Sequence, residues 1–291
     1  MFYKNNNIVI LMSPMQAQLC YNYNDHCFID GTFYTAPKCA YQIITLRIHN
    51  ILEDCFYTVG YGILTKKDTS SYIEFLDTIK NYIYDNRENK NNLEVWTPKT
   101  FHCDFELSII IAIKHIFPNT EIKLCLWHMF RKIENKRKSI YGNINNQSQL
   151  SLNILKRIKT LCFLDPIYVK KVFDLISRKT TDSDEKDNEF VNDYFKTTYI
   201  DKYNIKDWNY YKIFDHRTNN ACESYHHILN SKFNKKPSIW KLLSVLKDEE
   251  NKLKLDIINL RNGNIKKKEV FLHLNILQKN IMINIKKKLK V

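Results

Sequence analysis

The sequence predicts an α/β protein of the α+β type, in which helices flank one mixed sheet of five strands. Two observations carry this prediction. The first third of the chain contains three successive stretches rich in β-branched and aromatic residues, which is typical of strands. Helix-like and strand-like stretches then alternate, before a long block with helical periodicity. Strands in succession, followed by alternation, indicate a sheet that is partly antiparallel and partly parallel.

The three successive strands are predicted at residues 26–33, 41–48 and 56–64. A turn at Ala36-Pro37 separates the first two, and the links between all three are short. Short links favour an antiparallel meander, because an antiparallel pair needs only a tight turn between its strands.

The alternating region begins with a helix predicted from about residue 72 to residue 83, whose apolar side chains recur on one face. A short strand at 100–104 and a helix at 107–117 follow, and Pro118 ends that helix. A strand at 121–128 completes the five. Because the helix at 107–117 is apolar nearly all round, we expect it to be buried.

No strand is predicted between residues 131 and 212, where polar segments separate helix-like stretches. We therefore expect residues 1–130 to form the first part of a core and 131–212 to be an all-helical insertion. Residues 213–245 would return to the core as its closing helix, and 246–291 read as a basic helical segment. This order of strands and helices is that of the RNase H-like fold.

The chain is strongly basic, with a net charge of +14 from 45 Lys and Arg against 31 Asp and Glu. Such a balance suits a polyanionic partner such as nucleic acid. A codon bias is the alternative, since the chain is rich in Lys, Asn and Ile and has only 5 glycines. Lysine runs at 266–268 and 286–288, together with that partner, favour a nuclear protein.

The cysteines and the apolar runs indicate the cellular compartment of the protein. Eight cysteines are scattered through mostly apolar stretches, and a chain of 291 residues needs no disulfides to fold, which favours a reducing compartment. The apolar run at 8–12 is short for a signal peptide, and the one at 107–113 is far below a membrane span. We therefore expect a soluble, intracellular protein without a membrane partner.

Two aspartates end strands that this topology makes neighbours. Asp30 closes the first strand and Asp104 the fourth, so their side chains should meet. A carboxylate at the end of an apolar strand is costly to bury unless it is paired or bound to a metal. Each has a simpler interpretation: Asp30-Gly31 is a favourable turn dipeptide, and Asp104 could cap a helix starting near Phe105.

A third acid lies in the stretch RTNNACESYHHILN, at residues 217–230. Read locally, Asn220 and Glu223 have the spacing of a capping box at a helix start. Read with the two aspartates, Glu223 is a further oxygen ligand. Mg²⁺ and Mn²⁺ prefer such ligands, and two of these ions together catalyse phosphoryl transfer.

A set of short motifs occurs in a fixed order: DGTF at 30–33, YQIITL at 41–46, DFE at 104–106, Phe117-Pro118, CLWH at 125–128, DYFKTTYI at 193–200, Trp208-Asn209 and RTNNACESYHHILN. Over about residues 25–235, this set resembles the Mutator-like element (MULE) transposase domain, a member of the DDE transposases. Each motif alone is weak, and the ordered set is what carries the resemblance.

The resemblance implies an RNase H-like core interrupted by a helical insertion, with Asp30, Asp104 and Glu223 as catalytic metal ligands. Two Mg²⁺ or Mn²⁺ ions would serve as cofactors, without a small-molecule cofactor. The reaction would be cleavage of DNA at transposon ends, followed by attack of the freed 3′-hydroxyl on target DNA, in a homodimeric complex.

Five further residues of these motifs are predicted to support the site. His226 could orient Glu223 or contact a DNA phosphate, and the alternative is a buried, hydrogen-bonded histidine. Cys125 and His128 form a C-x₂-H motif, for which we favour a supporting role because zinc needs four ligands. The motif also supplies Arg217 and Asn220. We expect Glu106, which follows Asp104, to lie exposed in the first turn of the next helix.

Family transposases usually carry an N-terminal zinc-binding DNA-recognition module, and only 29 residues precede Asp30 here. We expect neither that module nor a C-terminal zinc knuckle in this sequence. Two alternatives stay open: a non-catalytic, transposase-derived DNA-binding or protein-interaction protein, and another RNase H-like nuclease. The three intact acids speak against the first, and the long insertion with its closing motif speaks against the second.

Overall fold

A computed structural model describes residues 2–51, 53–88, 94–142, 149–181, 185–233 and 235–262. The described strands form one seven-stranded sheet in the order β1-β2-β5-β4-β3-β6-β7. Their bounds are β1 (Phe2–Lys4), β2 (Ile8–Leu11), β3 (His26–Thr32), β4 (Gln42–Asn50), β5 (Cys55–Leu64), β6 (Thr100–Cys103) and β7 (Glu121–Leu124).

The helices divide between the N-terminal half, a block after β7, and the C-terminal part. Their bounds are α1 (Pro14–Asn22), α2 (Thr69–Asp85), α3 (Leu107–Ile116), α4 (Leu126–Tyr141), α5 (Gln149–Thr160), α6 (Pro166–Thr181), α7 (Glu185–Asn188), α8 (Ile205–Trp208), α9 (Asn220–Ser231) and α10 (Ile239–Arg261). A 3₁₀ turn spans Leu161–Phe163, and a π-helix spans Glu189–Lys202.

The five predicted strands are present as β3 to β7, in the predicted arrangement. β3, β4 and β5 pair antiparallel, whereas β3, β6 and β7 pair parallel. The mixed α+β architecture is therefore confirmed and is compatible with an RNase H-like fold. The strand count was wrong, because β1 and β2 extend the sheet beyond β5, where Ile8 pairs with Leu64. These two strands of 3 and 4 residues are too short to show a period in the sequence.

Each face of the sheet buries its own group of apolar side chains. Ile44 and Leu46 of β4 belong to the large core that includes α2 and α3. Ile43, one residue away, faces the opposite side and packs with α9 and α10. This alternation follows from the two-residue period of a strand. The helix predicted at 107–117 is α3, and it buries five of its residues against the larger core.

Polar contacts as well as apolar packing hold α9 on its face of the sheet. The hydroxyls of Tyr61 in β5 and Tyr225 in α9 lie 2.6 Å apart. Arg47 in β4 donates a hydrogen bond to the carbonyl of Ala221 and places its guanidinium 4.9 Å from the ring centre of Tyr225. Because these contacts tie α9 to both β4 and β5, they hold the start of α9 over the sheet.

Between β7 and α9, the described residues of 125–219 contain helices and no strand. The predicted all-helical character of this region is thus seen in the described part. The boundary predicted at residue 131 falls inside α4, which begins directly after β7. Of the predicted basic segment 246–291, α10 covers the start, and both lysine runs lie outside the described residues. In the described parts of the chain, no helix has the length and apolar character that a membrane crossing requires.

Gly62 in β5 offers a sharp test of packing on the α2 face. A Cβ at this position would lie 2.8 Å from two ring carbons of the fully buried Phe75. We expect Gly62→Ala to lower the free energy of unfolding by about 1–3 kcal/mol through overpacking. Gly60→Ala is the control, since its Cβ would lie 3.2 Å and 3.3 Å from the side-chain ends of Ile79 and Met12. It would also be in ordinary contact, at 3.6 Å, with Leu46 Cβ. Urea denaturation of both variants checks this, and equal losses would contradict it.

Candidate metal centre

Asp30 and Asp104 meet where β3 and β6 run side by side. In the parallel register, His26 lies opposite Thr100 and Phe28 opposite His102. Two residues further along each chain, Asp30 is level with Asp104, just beyond the end of β6. Both aspartates line one cavity on the sheet. The predicted neighbourhood of the first and fourth strands therefore brings these two carboxylates together.

The simpler interpretations of both aspartates are wrong. Asp30 and Gly31 lie inside β3, where both pair with β4, so they form no turn. Asp104 does not cap α3, because Glu106 occupies the N-cap position. Asp30 Oδ1 accepts a hydrogen bond from the Gly31 N–H at 2.8 Å within β3, but neither aspartate closes a turn or caps a helix.

Glu223 reaches the same place from α9. The helix begins at Asn220 and its N-cap is Asn219, so Glu223 lies in the fourth helical position. A capping box requires its acid at the third, and the N-cap makes no side-chain hydrogen bond here. The capping-box interpretation was therefore wrong by one residue, and the Glu223 carboxylate faces the aspartates instead.

His128 links two of the three acids. Its Nδ1 atom lies 2.8 Å from Asp104 Oδ1 and 3.6 Å from Glu223 Oε1. These contacts are close, but none is aligned as a hydrogen bond. Within the described residues, all three atoms are buried without a hydrogen-bond partner. Three buried polar atoms that point at one another and lack aligned partners are unusual in a folded protein.

The charges at this point are strongly coupled. Burial raises the pKa of Glu223, and the neighbouring charges of Asp104 and Asp30 raise it further, while His128 opposes them. Burial alone would lower the pKa of His128, but Asp104 and Cys125 outweigh burial and raise that pKa to about 10. His128 is therefore protonated at neutral pH, and its positive charge offsets part of the repulsion between the acids.

Cys125 joins Asp104 and His128 in a set of possible metal ligands. One ligand atom from each of the three lies within 4.8 Å of the others. Cys125 sits between β7 and α4, and its sulfur accepts a hydrogen bond from the backbone N–H of Asn219 at 3.2 Å. The C-x₂-H motif thus lies against the acids rather than at a separate zinc site.

His226 contacts Asp30 rather than Glu223. Its Nδ1 atom lies 3.3 Å from Asp30 Oδ2, and its Nε2 atom lies 2.8 Å from the hydroxyl of Thr45 in β4. The ring is 7% exposed, as the alternative of a buried, hydrogen-bonded histidine requires. Because both ring nitrogens have partners, the imidazole holds the Asp30 carboxylate in a fixed orientation.

Two of the predicted supporting residues lie away from the acids. Asn220 is exposed at the start of α9. The guanidinium of Arg217 packs on Phe163 and Phe214, and its Nε donates to the carbonyl of Ile213. Arg217 contributes only through its backbone carbonyl, which accepts a hydrogen bond from Leu126 N–H at the start of α4.

Asn219 is the supporting residue that the sequence analysis missed. It is 1% exposed and, besides its bond to Cys125, its Nδ2 atom donates to the carbonyl of Ile29 at 3.4 Å. It therefore ties α9 both to β3 and to the start of α4. The sequence shows two adjacent asparagines, Asn219 and Asn220. The residue at which α9 begins decides which of the two is buried.

Glu106 is also more involved than predicted. It lies at the N-cap of α3 and lines the same cavity as Asp30 and Asp104. Its carboxylate accepts a hydrogen bond from the hydroxyl of Tyr72 at 2.8 Å and pairs with Lys67 at 3.0 Å. Because both oxygens already have partners, Glu106 fits a boundary of the site better than a ligand.

A divalent cation fits this arrangement. Asp30, Asp104 and Glu223 present carboxylate oxygens, and the buried oxygens of Asp104 and Glu223 have no aligned hydrogen bond among the described residues. Hard cations prefer carboxylate ligands, whereas Cys125 and His128 would suit a softer ion. The residues present can therefore hold a metal ion, with Asp104 common to both sets.

The family model described as the MULE transposase domain matches residues 26–132. A search of curated proteins finds no match. The matched range runs from the start of β3 into α4, so it contains Asp30, Asp104, Cys125 and His128 but not Glu223. Residues 26–132 of this chain are therefore similar to the MULE transposase domain.

Proposed function

We propose that this protein is a divalent-metal-dependent DNA transposase of the DDE type, with Asp30, Asp104 and Glu223 as its catalytic acids. One observation carries the proposal: three acids that are far apart in the sequence come together at one end of β3 and β6. The matched domain supplies two of them, and Glu223 is added by the docking of α9 on the sheet.

The three carboxylates would hold two Mg²⁺ or Mn²⁺ ions, which activate an attacking oxygen and stabilise the leaving oxygen of a phosphodiester. In the first reaction, a water oxygen attacks phosphorus and the bond to the 3′-oxygen breaks, which leaves a 3′-hydroxyl. In the second, that hydroxyl attacks a phosphodiester of the target DNA and displaces the target strand's 3′-oxygen, so that a new phosphodiester joins the two DNAs and the target strand is left with a 3′-hydroxyl. His226 keeps Asp30 oriented during both steps, since Thr45 fixes its other nitrogen.

Basic side chains around the acids would contact the phosphates of the DNA backbone. Lys67 lies on the cavity wall, and Lys132 on α4 donates to the carbonyl of Phe105 at 3.4 Å. Burial lowers the pKa of Lys132, and the charge of Asp104 partly restores it. With a net charge of +14, the chain attracts DNA in a salt-dependent way. A homodimeric active complex and a nuclear location belong to the same proposal.

An anomalous-scattering map of crystals soaked in Mn²⁺ tests the metal centre directly. We expect Mn²⁺ between Asp30, Asp104 and Glu223, as two peaks about 3.5–4 Å apart when DNA is present. Crystals of Glu223→Gln are the control and should lose at least one peak. A peak coordinated by Cys125 and His128 without Asp30 or Glu223 would contradict the two-metal assignment.

A non-catalytic DNA-binding protein is the second candidate, and the proximity of His128 to Asp104 favours it. An imidazolium 2.8 Å from Asp104 already supplies a positive charge to the site. Strand cleavage assays with Mg²⁺ and Mn²⁺, run beside a DNA-binding assay, separate the two candidates. Cleavage supports the transposase, and binding without cleavage in either metal supports the second candidate.

A further inference from the structure

Four histidines cluster on the sheet below the acids. His26 begins β3, His102 lies in β6, His49 lies near the end of β4, and His216 lies in the segment before α9. The ring of His216 is central, with its centre 4.4 Å from that of His49 and 4.6 Å from that of His26. His26 and His102 complete the group at 5.3 Å.

Two nitrogens of this cluster already have the spacing of ligands on one ion. His26 Nδ1 lies 3.1 Å from His102 Nε2. Two imidazole nitrogens bound tetrahedrally to zinc at about 2.0–2.1 Å are roughly 3.3 Å from each other. The same spacing suits a hydrogen bond between two neutral rings, so this pair alone does not distinguish a metal site from a hydrogen-bonded pair.

His49 provides the second observation. Its Nε2 atom lies 2.9 Å from Asp54 Oδ1, while its Nδ1 atom is buried without a hydrogen-bond partner among the described residues. Metal-binding histidines characteristically have one ring nitrogen on a carboxylate and the other on the metal. His49 therefore has the partner that orients a ligand and a free nitrogen for the ion.

The surroundings favour the neutral form of His26 and His216 and leave an approach from solvent. Phe28 stacks on His102 at 4.3 Å, and Phe56 lies edge-on to His216 at 5.7 Å. Burial, together with the neighbouring histidines, lowers the pKa of His216 to about 3 and also lowers that of His26. Neutral imidazole is the form that binds metals, and both of these rings remain partly exposed.

We propose that His26, His49, His102 and His216 form a site for a transition-metal ion of the Zn²⁺ class, separate from the carboxylate centre. Imidazole ligands select zinc and its neighbours over Mg²⁺. In this structure no three of these four rings bring nitrogens within 4.8 Å of one another, so coordination requires the partly exposed His216 to turn about its side-chain torsions toward the other rings, while Asp54 holds His49 in place. His216 lies in the segment that leads into α9. A metal ion bound to His216 and to the strands therefore fixes the position of this segment on the sheet.

Titration of the full chain with Co²⁺ tests this site, because four-coordinate Co²⁺ absorbs visible light and reports its ligands. We expect one Co²⁺ per chain with nitrogen ligands, in addition to any ions at the carboxylate centre, and its displacement by Zn²⁺. Asp54→Asn should weaken this binding about 10–100-fold by removing the carboxylate behind His49. Asn tolerates the backbone there, since Asp54 has φ of 49°. His115→Gln, an exposed histidine on α3, is the control and should bind normally.

Further variants distinguish this site from the acids and from a hydrogen-bonded histidine pair. His216→Gln, at a partly exposed position, should reduce Co²⁺ binding at least tenfold, with folding confirmed by circular dichroism. Asp104→Asn should keep the histidine-bound Co²⁺, so this result does not depend on the proposed function. Binding that survives both His26→Gln and His216→Gln, or a thiolate absorption band that disappears in Cys125→Ser, would overturn the proposal. Absence of Co²⁺ binding by the folded parent would also overturn it.

Discussion

Asp104→Asn should abolish metal-dependent DNA strand cleavage, with a loss of at least about a thousandfold, while DNA affinity stays within about twofold. Asn keeps the size of the side chain but removes the negative charge that a metal requires. We expect the largest effect at Asp104, because it lies 2.8 Å from His128 and close to Glu223. Cleavage is measured on end-labelled duplexes in Mg²⁺ and Mn²⁺, and affinity by fluorescence anisotropy.

Asp77→Asn makes the same chemical change at an exposed position on α2 and is the matched control. Asp77→Asn should cleave DNA at the same rate as the parent. The comparison then distinguishes the loss of a metal ligand from the loss of one negative charge anywhere on the protein. Equal cleavage by Asp104→Asn and the parent would remove Asp104 from the catalytic set. A large fall in DNA affinity would instead give Asp104 a structural role.

Trp208→Ala should cost about 3–5 kcal/mol in the free energy of unfolding, which is the usual range for removing a buried tryptophan. The side chain is fully buried and packs against Phe195 and Tyr199 in the helical block. Its Nε1 also donates to the carbonyl of Tyr199 at 2.9 Å, so the variant leaves that acceptor without its partner. Such a loss is a large part of the stability of a typical domain.

Trp240→Ala, at a position that is 78% exposed, is the control for removing a tryptophan. It should change the free energy of unfolding by less than about 0.5 kcal/mol. Urea denaturation followed by circular dichroism measures both variants, since tryptophan fluorescence itself changes. If the two losses are similar, the helical block does not contribute to the cooperative unfolding of the chain.

The sequence predicts the central sheet well because five strands carry strong local signals. β3, β4 and β5 are rich in β-branched and aromatic residues, and β6 and β7 alternate with helices of clear periodicity. β1 and β2 have no comparable signal, because a strand of 3 or 4 residues shows almost no period. Their place beyond β5 comes from pairing with a partner that is distant in the sequence.

The candidate site was predictable where topology alone positions a residue. Asp30 and Asp104 follow from the order of the strands, since parallel neighbours bring their carboxyl ends together. The choice between Asn219 and Asn220 depends on a helix start that differs by one residue, which a capping pattern cannot fix. The contact of His226 with Asp30 was also not predictable, because it depends on how far α9 is turned toward β4.

The histidine cluster has no signature in the sequence at all. His26, His49, His102 and His216 follow no metal-binding spacing, and three strands and one connecting segment bring them together. Of the histidines and cysteines, Cys125 and His128 lie in a short motif with ligand-like spacing. Scattered ligands of this kind become visible only when the strand register is known.

The position of Glu223 on α9 gives the molecule an order of assembly. A growing polypeptide folds from its N-terminal side as it leaves the ribosome. The sheet that carries Asp30 and Asp104 is synthesised well before the helix that carries Glu223, with the entire helical block between them. Under the proposed function, a nascent chain therefore holds an incomplete set of acids, and a nuclease that could damage its host's DNA becomes competent only after α9 has docked.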